Sequence, residues 1–90
     1  MKEFYFVKTG SVTKDVLASS HKAAVLEAIR DRKPETLGLI IACLKEGDKE
    51  DDEAFYSTRF VLEDLGWIVE EAPDGRLLAK KGNSSTYLEP

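Results

Sequence analysis

The chain opens on Phe4-Tyr5-Phe6-Val7, an aromatic and β-branched run with strand character. Thr9-Gly10-Ser11 is a turn signal and Val12 to Ala18 reads as the returning strand, so an N-terminal β-hairpin is predicted. Alternation puts Phe4 and Phe6 on one face of the first strand, and Val12, Val16 and Ala18 together on the second. Ser19-Ser20 then offers an N-cap. Val25, Ala28 and Ile29 fall together at helical spacing while Glu27, Arg30 and Asp31 point elsewhere, which predicts a helix over about residues 20–32. Pro34 ends it by disfavouring helical backbone at Lys33.

Residues 37–45 satisfy two templates. As a short apolar run around Gly38 they fit a buried strand; Leu37, Ile40, Ile41 and Leu44 also sit at helical spacing. The strand is the favoured reading. An acidic loop, Glu46 to Glu53, leads into a second predicted helix over about 53–65, closed by Gly66. In that helix Phe55, Leu62, Leu65, Ala54 and Val61 form an apolar face about 120° wide, with Tyr56 and Phe60 on the far side beside Arg59 and Glu63. Trp67 to Glu71 is a strand, Ala72-Pro73-Asp74-Gly75 a turn, and Arg76 to Lys81 the return strand. The expected fold is α+β: one two-layer domain over residues 1–82 in the order ββαβαββ, two helices on a mostly antiparallel sheet. Residues 83–90 are expected to be a flexible tail or a short edge strand.

Composition narrows the class. Ninety residues with 42% hydrophobic and 33% charged side chains suit one small globular domain, and a chain this size favours surface binding over a deep catalytic cavity. One cysteine excludes an internal disulfide and a tetrathiolate metal site. The opening residues lack a signal-peptide h-region, and the longest uncharged apolar stretch, Leu37 to Leu44, is far short of the roughly 20 residues of a membrane span. A cytoplasmic protein without membrane contact is expected.

The net charge of −4 conceals an asymmetry. Residues 1–45 carry eight bases and five acids; residues 46–74 carry eleven acids against Lys49 and Arg59; residues 75–90 carry Arg76, Lys80 and Lys81 against Glu89. The acidic middle disfavours a phosphate-binding surface there and invites a calcium reading. Counted from Asp48, however, an EF-hand loop would have Glu53 where glycine is needed and Arg59 where the bidentate carboxylate belongs. The simpler role for Asp51, Asp52 and Glu53 is to favour the N-terminus of the following helix. His21 and Cys43, each the sole residue of its kind, could pair for nucleophilic chemistry. Cys43 lies among Ile40, Ile41, Ala42 and Leu44, where burial makes a thiol inert, and His21 is expected at the surface. Phosphate-loop, dinucleotide, serine-hydrolase and zinc-protease motifs are absent from the sequence, so no catalytic residue, metal or cofactor is assigned.

Phe55 to Lys81 resembles the closing half of a winged-helix domain. Val61-Leu62-Glu63-Asp64-Leu65-Gly66-Trp67-Ile68-Val69 is followed by the Pro73-Asp74-Gly75 turn and Arg76 to Lys81. The resemblance covers about a third of the chain, and it implies a recognition helix and a wing. It departs where function resides, because the helix opens on Asp51-Asp52-Glu53 and carries Arg59 as its only base. The expected function is therefore a non-enzymatic module that binds a protein, one with a basic surface, through Asp48, Asp51, Asp52, Glu53, Tyr56, Arg59 and Phe60. The alternative is a nucleic-acid binder using Arg76, Lys80 and Lys81 of a winged-helix-like fold with an N-terminal hairpin, and a homodimer is compatible with either.

Overall fold

The N-terminal hairpin forms as its alternation requires. β1 (Glu3–Thr9) and β2 (Val12–Ala18) pair antiparallel from Glu3↔Ala18 to Thr9↔Val12. The structure is a computed structural model that describes residues 2–88. Only Gly10 and Ser11 connect the two strands. Gly10 takes φ of 50°, the left-handed backbone that two-residue hairpin loops demand at their first position. α1 (His21–Ile29) starts at Ser20, whose Oγ accepts the Ala23 N–H at 3.1 Å, and buries Ala24, Val25, Ala28 and Ile29. It stops short of residue 32, and Pro34 opens a short 3₁₀ turn, Pro34–Thr36.

The ambiguous segment is extended: β3 (Ile40–Lys45) pairs antiparallel with β1 through Tyr5↔Lys45 to Lys8↔Ala42. The helical alternative for residues 37–45 is thereby lost, and with it the condition that would favour a winged-helix arrangement. A second departure is larger. Residues 54–57 are not helical but form β4 (Ala54–Ser57), which pairs antiparallel with β3. The helix expected over 53–65 is reduced to α2 (Thr58–Asp64), with Ser57 before it. Phe55 lies opposite Ala42 and Tyr56 opposite Ile41, and these cross-strand contacts outweigh the helical spacing of the same residues. Asp51, Asp52 and Glu53 therefore precede a strand, and the helix-capping role expected of them does not arise. α2 ends as foreseen at Gly66, with φ of 95°: the Gly66 N–H donates to Glu63 O at 3.1 Å and the Trp67 N–H to Leu62 O at 2.9 Å.

β5 (Ile68–Glu71), β6 (Leu77–Lys81) and β7 (Ser84–Tyr87) make a second, separate antiparallel sheet in that order. β7 is the edge-strand form of the C-terminal segment, and the Thr86 hydroxyl donates to Glu35 at 3.0 Å; residues 89–90 lie outside the described residues. The class is α+β. The observed order is ββαββαβββ rather than ββαβαββ, with two sheets in place of one.

The four-stranded sheet runs β2-β1-β3-β4, and α1 packs across one face of it. That inner face contributes Tyr5, Val7, Val12, Val16, Ile41 and Cys43 to the core, joined by Val61 and Leu62 of α2 and by Val69, Ala79 and Leu88. Two buried threonines brace the junction. Thr9 Oγ1 accepts the Gly38 N–H at 3.0 Å and donates to Ile40 O at 2.8 Å, while the Thr58 hydroxyl donates to Gly38 O. Gly38 is needed there, because a Cβ would sit 3.0 Å from the Gly10 nitrogen.

Candidate functional site

Strand alternation leaves the opposite face of the four-stranded sheet open. With Tyr5, Val7 and Thr9 buried, Phe4, Phe6 and Lys8 of β1 point outward. Register carries the same face through Leu17, Asp15 and Thr13 of β2, through Leu44, Ala42 and Ile40 of β3, and on to Phe55 of β4. Phe4, Phe6, Leu17, Ile40 and Phe55 are exposed, and no element of the described residues packs on them. An open groove of about 460 Å³ runs along one end, lined by Phe4, Phe6, Leu44, Asp15, Glu46 and Asp48 among others. Lys45 stands at its rim, 3.4 Å from Glu3 and 4.0 Å from Asp48. The hydrogen bond to Glu3, helped by the Asp48 charge, raises its pKa above that of an ordinary lysine.

The structure separates the residues expected to form one surface. Asp48 borders the apolar face. Asp51 and Asp52 are exposed on the loop, where Glu50–Asp52 is a 3₁₀ turn, and Glu53 is half-buried. Tyr56, expected on an exposed helix face, lies on β4 and packs half-buried against the core; that burial raises the pKa of its phenol. Phe55, expected in the core stripe, is exposed instead. Arg59 and Phe60 lie on α2, with Phe60 64% exposed and Arg59 half-buried. Tyr56 and Phe60 thus do not form an exposed pair.

The single thiol and single imidazole do approach, but not as a dyad. Cys43 Sγ lies 3.8 Å from the backbone oxygen of His21, not from its ring. The imidazole is half-buried rather than at the surface, set edge-on to Tyr5 with centroids 4.9 Å apart, and its buried Nε2 has no hydrogen-bond partner among the described residues. Burial, reinforced by the nearby Glu53 charge, pushes the Cys43 thiol up to about 11, which keeps it protonated and unreactive. No group of three or more His, Cys, Asp or Glu side chains among the described residues is placed to hold a metal ion.

The three C-terminal cations are already engaged. Arg76 bonds Asp74 at 2.9 Å and lies 4.0 Å from the Tyr87 ring centroid; Lys80 is 3.0 Å from Glu70; Lys81 donates to Leu65 O at 3.2 Å beside the Trp67 ring. The backbone N–H of Arg76, followed by its side chain, holds the Asp74 carboxyl below the usual carboxylate range. No helix of the described residues is long and apolar enough to cross a membrane. Comparison with protein-family models, with curated proteins and with solved structures found no match.

The open face has a signal in the sequence that helical spacing at residues 53–65 masks. Phe4-Tyr5-Phe6-Val7 and Ile40-Ile41-Ala42-Cys43-Leu44 are apolar at both parities, whereas a sheet with one solvated face alternates apolar with polar. Strands of that kind call for apolar contact on both sides.

Proposed function

We propose that this chain is a non-enzymatic protein-interaction module that binds another polypeptide through the outer face of its four-stranded sheet. The observation that carries the reading is the uncovered set of Phe4, Phe6, Leu17, Ile40 and Phe55 on one contiguous face. Scattered single apolar residues are ordinary at a surface, but a contiguous patch of this kind marks a contact site. The aromatic anchors come from Phe4, Phe6 and Phe55 rather than from Tyr56 and Phe60. Asp48 stays in the proposed surface as its acidic border, and exposed Asp51 and Asp52 extend the negative potential that steers a basic patch of the partner toward it. The deprotonation-resistant Cys43 and the imidazole with no nucleophile beside it favour binding over catalysis.

The test places a photo-crosslinking amino acid at Phe55 in one variant and at Phe60 in another, in cells that express the protein. Adducts to a polypeptide, either a second copy or a different protein, are expected from position 55 and not from position 60. Equal labelling at both positions, or none at 55, overturns the reading.

A further inference from the structure

We propose that the occupant of the open sheet face is a second copy of this chain, the two four-stranded sheets stacking face to face about a two-fold axis. The proposal rests on the reading of that face as an interaction surface and names its partner. Phe4 is 52% exposed, Phe6 44%, Leu17 51%, Ile40 55% and Phe55 64%. Because a whole aromatic side chain carries roughly 150–250 Å², these five leave roughly 500 Å² of apolar surface, in the upper part of the range for the largest patch on a monomer. With Lys8, Thr13 and Asp15 between them, the face approaches the roughly 800 Å² per partner of a standard interface. Sheets stack about 10 Å apart when both inner faces interdigitate apolar side chains. A two-fold axis supplies that second apolar face from the same sequence.

Charge complementarity at one end of the face fits a second copy. On the open face Lys2, Lys8 and Asp15 lie on the β1–β2 side, while Glu46 and Asp48 border the β3 side. In the order β2-β1-β3-β4, an axis parallel to the strands lays β1 and β2 of one copy over β3 and β4 of the other. The Glu46 N–H donates to Phe4 O at 2.9 Å, so Lys2 and Glu46 lie at the same end of the sheet. The axis therefore brings Lys2 of each copy toward Glu46 of the other, and the match occurs twice. A strongly basic partner would oppose Lys2 and Lys8, and a strongly acidic one would oppose the 46–53 loop. At that end a second copy presents Glu46 to Lys2 and Lys2 to Glu46.

Sedimentation velocity and light scattering from micromolar to millimolar protein test this. The expected mass rises with concentration from 10.1 kDa to twice that value. Phe6→Asp and Phe55→Asp each weaken association about 100-fold or more, since each copy would bury an unpaired carboxylate, and Phe60→Asp leaves association unchanged. Circular dichroism verifies that each variant keeps its fold. Lys2→Glu and Glu46→Lys each weaken the dimer, and the double variant restores it. A wild-type chain that stays monomeric throughout overturns the proposal. If position 55 then crosslinks to a different protein, the interaction-face reading stands without it; if position 55 labels nothing, both fall. A dimer that survives Phe6→Asp and Phe55→Asp but is lost with Phe60→Asp overturns the assignment to this face. Failure of the double variant to restore association overturns the proposed axis.

Discussion

Cys43 has a measurable consequence for stability because the thiol must stay neutral inside the sheet–helix interface. In the unfolded chain it ionises near its ordinary value of 9.0, and in the fold only at about 11. Between those values the unfolded state holds fewer protons than the native one, so the stability attributable to this group falls as pH rises from about 9 to about 11. Urea unfolding across that range should show the decline in wild type and a smaller one in Cys43→Ala. A thiol reagent at pH 8 should label the native protein slowly and the unfolded chain at once. The threonine brace gives a second residue-scale expectation. Thr58→Val removes the hydroxyl that serves the buried Gly38 carbonyl and should cost about 1–3 kcal/mol in denaturant unfolding, although the volume hardly changes.

At the scale of elements, the contrast between Phe55 and Tyr56 separates strand from helix at residues 54–57. On the structure Tyr56 packs on the core and Phe55 does not, the reverse of the helical reading. Tyr56→Ala should lower stability by about 2 kcal/mol and Phe55→Ser by less than about 0.5 kcal/mol, measured on dilute protein. Helical periodicity was legible here because Phe55, Leu62 and Leu65 do share a helical stripe. The deciding partner, the β3 edge, lies more than ten residues upstream and enters no local window. Ser57-Thr58 was the available signal of a later helix start. The Gly66 stop was readable because it is local: left-handed backbone after a helix selects glycine. Gly66→Ala should cost about 1 kcal/mol through that φ.

For the whole molecule, the surface charge and the engagement of the C-terminal cations point one way. Arg76, Lys80 and Lys81 each contact a carboxylate or carbonyl of this chain, and the central segment is strongly acidic. A labelled DNA duplex should therefore run unshifted with this protein even at about 50 mM salt, where phosphate contacts are strongest. A shift lost on neutralising those three cations would instead support the nucleic-acid reading.

The hairpin, α1, the Gly66 stop, the Pro73–Gly75 turn and the α+β class follow from features that act within a few residues: alternation, caps, and backbone preferences of glycine and proline. Those forces are encoded locally, so the residues disclose them. Three things were decided by contacts between distant segments. The pairing of β3 with β1 settled a run that satisfied both periodicities. The pairing of β4 with β3 converted the start of a plausible helix into a strand and turned Tyr56 inward. The placement of α1 on one side of the sheet determined which of two apolar parities became core and which stayed open. Both parities of β1 and β3 are apolar, so alternation alone says that two faces exist and not which one the helix covers. That choice is made by packing, and it moves the candidate surface from α2 to the sheet.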